Sequence, residues 1–288
     1  MKRVLTTSCL LLCANQLLSA DNKAENILLH QRDNGGWPKN YDRDRLVTEG
    51  GKKVLLALKN RNDATFDNGA THTEVRYLAK AFLTTGDKRY GEAFLKGVEF
   101  MLEAQYDNGG WPQRFPKPSG YSAHITFNDG AMVGVMSVLR DISGDRKDYP
   151  FVSNELRKHC GEAVDRGIPC ILKCQIVVDG KKTAWCAQHD EETFDPRGAR
   201  SYELPSISGA ESVGVVRFLM QIDEPSLEII AAVQGAVHWF DEAKLAGIRE
   251  IRKEAKGTPK GWDKVVVEDA SAPPLWARFY KIGTNQPI

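Results

Sequence analysis

The chain carries almost no net charge. Its 39 Lys and Arg against 38 Asp and Glu leave +1 over 288 residues. That balance gives no global field for nucleic acid, so an acidic ligand would have to meet a local basic patch. Cysteine is scarce as well: six in all, two of them (Cys9 and Cys13) within the first twenty residues. After Leu18 no apolar run is long enough to cross a bilayer. The histidines show neither HExxH spacing nor a serine partner motif, which removes support for zinc proteolysis and for a serine nucleophile. No glycine loop suited to phosphate and no EF-hand loop is written anywhere.

What is present starts with a processing segment. Lys2 and Arg3 precede the mostly apolar stretch Val4 to Leu18, and Ser19-Ala20 offers small residues before Asp21. Residues 1–20 therefore read as a signal peptide, and a secreted or periplasmic protein is expected. Residues 21–288 are expected to form a single catalytic domain. The chain ends on the open turn Gly283-Thr284-Asn285-Gln286-Pro287-Ile288, which suggests a shortened C-terminus. In an exported chain, Cys160, Cys170, Cys174 and Cys186 are expected to form one or two disulfides, with three possible pairings. Cys170 and Cys174 would share a helix face, but no matching second pair supports zinc.

Repetition organises the rest. Asp33-Asn34-Gly35-Gly36-Trp37-Pro38 recurs as Asp107-Asn108-Gly109-Gly110-Trp111-Pro112, each copy preceded by a glutamine, Gln31 or Gln105. A degenerate third version runs from Gln175 through Asp179-Gly180 to Trp185. Thr65-Phe66-Asp67-Asn68-Gly69-Ala70 is likewise echoed by Thr126-Phe127-Asn128-Asp129-Gly130-Ala131, with acid and amide exchanged. A third echo, Ser206-Ile207-Ser208-Gly209-Ala210-Glu211, leads into Val213 to Met220. Alone, either acid/amide turn would read as a helix N-cap. Together they read as one site assembled from repeated units, each burying its apolar face on its neighbours.

Helical periodicity fills the gaps. Phe94, Leu95, Val98, Met101 and Leu102 form one apolar stripe, while 132–139 and 213–220 are apolar on nearly all sides, as inner helices would be. A further helix over 227–240 is opened by Ser226, and only 265–267 and 276–280 look strand-like. The expected fold is all-α, a toroid-like (α/α) repeat of helical hairpins with a small β annex.

On the repeated turns, Asp67, Asn68 and Asp129 supply hard oxygen donors, and Asn128 could add a carbonyl; such a set suits Ca²⁺ completed by a substrate carboxylate. Arg197 and Arg200 lie on an irregular segment where guanidinium forks can grip carboxylates, with Lys173, Arg114 and Lys117 as possible company. Six tryptophans and eight tyrosines suit a sugar groove or a core equally well, so Trp111 is either a platform or a core residue.

Several of these blocks resemble bacterial pectate lyases of polysaccharide lyase family ten: 34–40, 65–71, 125–132, Trp185-Cys186-Ala187-Gln188-His189-Asp190, 196–203 and 205–208. The resemblance runs in family order from about Gln31 to Tyr280. It implies a Ca²⁺-dependent pectate lyase cleaving polygalacturonate, or de-esterified pectin, by anti β-elimination. It also implies that Asp67 and Asp129 hold Ca²⁺ with Asn68 beside them, and that Arg200 is the base removing the sugar's C5 proton. Arg278 would help bind a substrate carboxylate. Lys173, Tyr202 and Trp111 complete the set expected at the substrate, with Tyr202 or Lys173 the substitute base should Arg200 stay charged. No nucleic acid, no membrane after signal cleavage and a monomer are expected. Two rival readings use the same residues: a glycoside hydrolase with Asp67 and Asp129 as its carboxylate pair, and a non-catalytic pectin-binding protein.

Overall fold

Trp37, Trp111 and Trp185 each donate their indole N–H, at 2.8 Å, to a backbone carbonyl of the preceding helix, that of Ile27, Met101 and Ile171 respectively. All three rings are fully buried. The glutamine before each is equally constant. Gln31 donates to the carbonyls of Gly35 and Ala93, Gln105 to those of Gly109 and Ala163, and Gln175 to those of Thr183 and Ala232. One amide thus closes its own turn and ties it to the next repeat, pairing backbone carbonyls that the turn would otherwise bury alone. The repeat legible in the sequence is a physical one, its degenerate third copy included.

These bonds come from a computed structural model that describes residues 21–144 and 147–288. The expected signal peptide, with Cys9 and Cys13, lies outside the described residues. Among those described, no helix is long and apolar enough to cross a membrane.

Helices α1 (Asn22–His30), α4 (Lys88–Glu103), α6 (Asn154–Cys174) and α8 (Leu227–Ala243) lie side by side, each touching the next. Helices α3 (His72–Thr85), α5 (Ala131–Gly144) and α7 (Gly209–Leu219) form a second row and pair with α4, α6 and α8 as hairpins. The short α2 (Glu49–Ala57) packs on α1. The core fills the space between the two rows, from Val75 and Phe94 through Met132 and Val135 to Val215 and Trp239. Glycines allow the close approach. Gly35 and Gly109 have φ of +93° and +92°, and a Cβ there would lie 2.3 and 2.0 Å from the carbonyl oxygens of Lys96 and Arg166.

The expected all-α toroid does not hold. Under half of the described chain is helical, and eight strands pair into four two-stranded antiparallel sheets. Three of these are small: β1 (Ile125–Thr126) with β4 (Gln188–His189), β2 (Val177–Val178) with β3 (Lys181–Lys182), and β5 (Ile207–Ser208) with β8 (Phe279–Tyr280). The fourth is the hairpin of β6 (Ile248–Glu254) and β7 (Trp262–Glu268). The two-residue pairs are how the loops at the helix ends satisfy their backbone groups. They carry too few residues to leave a period-2 signature.

The expected disulfides are also absent. Cys160, Cys170, Cys174 and Cys186 are free and buried. Burial pushes the Cys174 thiol well above its usual range, aided by its hydrogen bond to Cys170. These side chains act as small apolar core residues. Trp111, a candidate substrate platform, is likewise a core residue with no exposed face. Trp111→Ala should cost about 3–5 kcal/mol of stability, measurable as a lower denaturant midpoint. An unchanged midpoint with a raised KM would instead restore the platform.

Candidate active site

The two acid/amide turns converge. Each is a one-turn 3-10 helix, Asp67–Gly69 and Asn128–Gly130, and the two lie in contact. In both, the middle residue, Asn68 or Asp129, sits at φ 51° in the left-handed region that Asn and Asp tolerate better than other side chains. The first residue, Asp67 or Asn128, is buried. Each turn is anchored by its repeat, because the backbone N–H groups of Thr65 and Thr126 donate to the carbonyls of Trp37 and Trp111. In the third unit, Ser208 N–H donates to the Trp185 carbonyl, but the chain passes straight from β5 into α7 with no acid/amide turn. Glu211 on that first helical turn takes its place and accepts from the Ser208 hydroxyl.

Together these turns border a strongly polar cavity of about 220 Å³, whose lining includes Asp67, Asn68, Asn128 and Asp129 together with Arg200, Glu203 and Arg278. The carboxyls of Asp67 and Asp129 are within hydrogen-bonding distance of each other. Partial burial and the Asp67 carboxyl push the Asp129 carboxyl above its usual range. Two acids held this close repel unless a proton or a cation sits between them. Lys39 also enters the cavity and pairs its ammonium with Asp67. Asn128 donates at 2.7 Å to Asp129 Oδ2 while its Oδ1 accepts at 3.0 Å from Arg278. Its carbonyl is therefore committed to a guanidinium. Asn68 donates to Asn40 at 2.8 Å.

Arg200 forms a two-pronged ion pair with Glu203, its Nε donating at 2.8 Å to Oε2 and an η-nitrogen to Oε1. Those bonds hold the guanidinium above its usual pKa and the Glu203 carboxyl below its own. Half of the Arg200 side chain is exposed, so water screens the pair. Arg278 lies 3.7 Å from Glu203 and 3.6 Å from Glu211. One guanidinium fork is thus saturated, while the other is shared among three weaker partners.

The remaining sequence candidates stand apart. Lys173, in the last turn of α6, lies over the Phe194 ring at 5.1 Å, and Tyr202 is exposed with its ring 4.9 Å from the Arg200 guanidinium. Neither lines the cavity.

A family model described as pectic acid lyase matches residues 31–288. The chain belongs to the pectic acid lyase family. A solved family 10 polysaccharide lyase from Cellvibrio cellulosa is similar at 37% identity and a TM-score of 0.79, over 91% of this chain and 78% of that one. A mutant of the family 10 polysaccharide lyase from the same organism, in complex with trigalacturonic acid, is similar at 36% identity and a TM-score of 0.79. That comparison covers 92% of this chain and 79% of the other. No curated protein matches. The pectate lyase expected from the sequence motifs is borne out, and the chain is an enzyme of the polysaccharide lyase class.

Sequence reasoning missed four residues that line the lyase's cavity: Lys39, Gln113, Tyr121 and Gln188. The repeat could have found two of them, since Lys39 and Gln113 both directly follow a Trp-Pro pair. It also missed a group in which His124, Asp190 and Glu191 bring ligand atoms within 4.8 Å of one another. There Asp190 Oδ1 already accepts from the backbone of Glu192 and Thr193, and His124 Nδ1 lies 2.8 Å from Glu191.

His189 has both ring nitrogens bonded to the backbone. Its Nε2 accepts from the Cys186 N–H, so its Nδ1 carries the proton and donates to the Phe194 carbonyl. Burial lowers the pKa of His189 and of His72 to about 4 each. A folded pKa below the unfolded value means the unfolded chain binds more protons under acid conditions. Stability should therefore fall as pH drops from about 6.5 to about 4, by roughly 1.4 kcal/mol per pH unit for each histidine. Melting temperatures across that range test this, and a flat profile would contradict it.

Proposed function

We propose that the lyase cleaves polygalacturonate by anti β-elimination in the Asp67–Asp129–Arg200 cavity, with Ca²⁺ as cofactor. The observation that carries the reading is the convergence of two acidic turns and two arginines on one polar cavity. The donor set fits the ion. Asp67 and Asp129 present carboxylate oxygens to a common point, with the Asn68 side chain beside them, and Ca²⁺ favours oxygen ligands of this kind. When bound, Ca²⁺ would draw charge from the uronate carboxylate, making C5–H more acidic and stabilising the enolate.

The protein's own side chains do the rest. Arg278 grips a substrate carboxylate, and Arg200 takes the C5 proton. The C5–H electron pair becomes the C4–C5 double bond, the C4–O bond breaks with its electron pair leaving on oxygen, and that oxygen takes a proton from water. Arg200 cannot act as a base while Glu203 holds its proton in place. Glu203 has an alternative partner, Arg278, at 3.7 Å, so substrate entry can exchange its partners. Because the base is the neutral guanidine form of Arg200, whose share grows with pH, the rate should rise into alkaline pH.

The hydrolase alternative fits poorly. Its two carboxyls must flank a sugar at about 5–10 Å, whereas those of Asp67 and Asp129 lie within hydrogen-bonding distance of each other. The deciding experiment is product absorbance on polygalacturonate with and without Ca²⁺. An unsaturated, ultraviolet-absorbing uronate that disappears with chelator is expected; reducing ends without absorbance would overturn the reading. Export and a monomeric state belong to the same proposal, to be checked by cell fractionation and size-exclusion chromatography.

A further inference from the structure

Beyond Arg278 lies a second depression of about 570 Å³, and its character is the reverse of the first. Its floor is the start of α7 (Gly209, Ala210 and Val213), and its wall is Phe240 of α8 with Trp276 and Ala277. Trp276 is 44% exposed yet fixed. Its indole N–H donates at 2.7 Å to the Phe240 carbonyl, and its ring stands edge-on to Phe240. The Gly209 N–H donates at 2.9 Å to the Arg278 carbonyl, which joins this floor to the catalytic cavity. Arg278 lines both hollows, so a chain leaving the cavity past it enters the apolar groove.

Charge decides what the groove accepts. Arg278 is the one charged residue lining it, and its guanidinium is engaged on the cavity side, by Asn128, Glu203 and Glu211 in this structure and by the cavity's own uronate in the lyase reading. An ionised uronate there would lose water and find no spare cation. A neutral methyl ester would instead bury its methyl group and lay a sugar face on Trp276. We propose that this groove is a subsite for a methyl-esterified galacturonosyl residue of a partly esterified pectin chain. The inference rests on the lyase reading of the neighbouring cavity.

The test compares steady-state kinetics on polygalacturonate and on pectin with about one third of its carboxyls methyl-esterified. Two variants are used, Trp276→Ala and Val213→Asp, with melting temperature as the folding control. Both should raise KM on the esterified pectin by roughly five- to tenfold while leaving kcat and KM on polygalacturonate within about twofold. Equal effects on both substrates, or no effect on either, would overturn the subsite. Should Trp276→Ala fail to fold, Val213→Asp decides alone, because Val213 is already partly exposed. If the unaltered enzyme gives no unsaturated product from polygalacturonate, the lyase reading of the cavity fails rather than the groove.

Discussion

Arg200→Ala should lower kcat on polygalacturonate by about 10³-fold, within the range lost when a positioned base is removed, and leave KM within a few fold. The split follows from the partners of Arg200. It is bound to Glu203 and half-exposed, whereas Arg278 and the acidic pair border the same cavity and stay intact in the variant. Losing Arg200 leaves Glu203 with Arg278 at 3.7 Å, so the buried carboxylate keeps a cation nearby and folding should survive. Arg200→Lys is the informative companion. It keeps a charge but cannot reproduce the two-pronged contact with Glu203, so its activity should remain low. Activity of Arg200→Ala near that of the unaltered enzyme would remove Arg200 as the base.

Asp129→Asn should separate activity from stability. Removing one of two converging carboxylates takes away a full charge where the cation would sit, and the rate on polygalacturonate should fall by about 10³-fold, with much weaker Ca²⁺ dependence. Without the ion, the same change should stabilise the fold. The folded pKa of Asp129 is raised by burial and by Asp67, so ionising it opposes folding. That cost is absent below the unfolded pKa and grows as pH rises through the folded one. At neutral pH the cation-free variant should therefore melt higher than the cation-free parent. Added Ca²⁺ should raise the melting temperature of the parent more than that of the variant. A variant that melts lower than the parent in chelator would show that Asp129 stabilises the fold by contacts other than its charge.

Cavity residues differ in how plainly the sequence announced them. Asp67, Asn68 and Asp129 were legible because they stand on a turn written twice. Arg200 was legible as a carboxylate-gripping guanidinium, but its role as base, and Arg278 altogether, were reached only through family likeness, since an arginine in an irregular segment has no local signature of catalysis. Lys39 and Gln113 occupy matching places after Trp37-Pro38 and Trp111-Pro112, a correspondence the motif held unread. Glu203 was legible only as a salt-bridge partner for the arginines; its place between Arg200 and Arg278 is relational and needed the fold.

By itself, the sequence determined the three-unit repeat, its helical hairpins, the doubled acidic turn and the family, because all of these are local patterns that recur at matching places along the chain. Only the tertiary structure decided that Trp111 is core, that the thiols stay free and that the loops pair as short strands. It alone showed the Asn128 carbonyl committed to Arg278 and the apolar groove beyond. Those outcomes depend on which side chains meet across large separations in the chain. Burial and partner choice are properties of that meeting, and no residue type fixes them in advance.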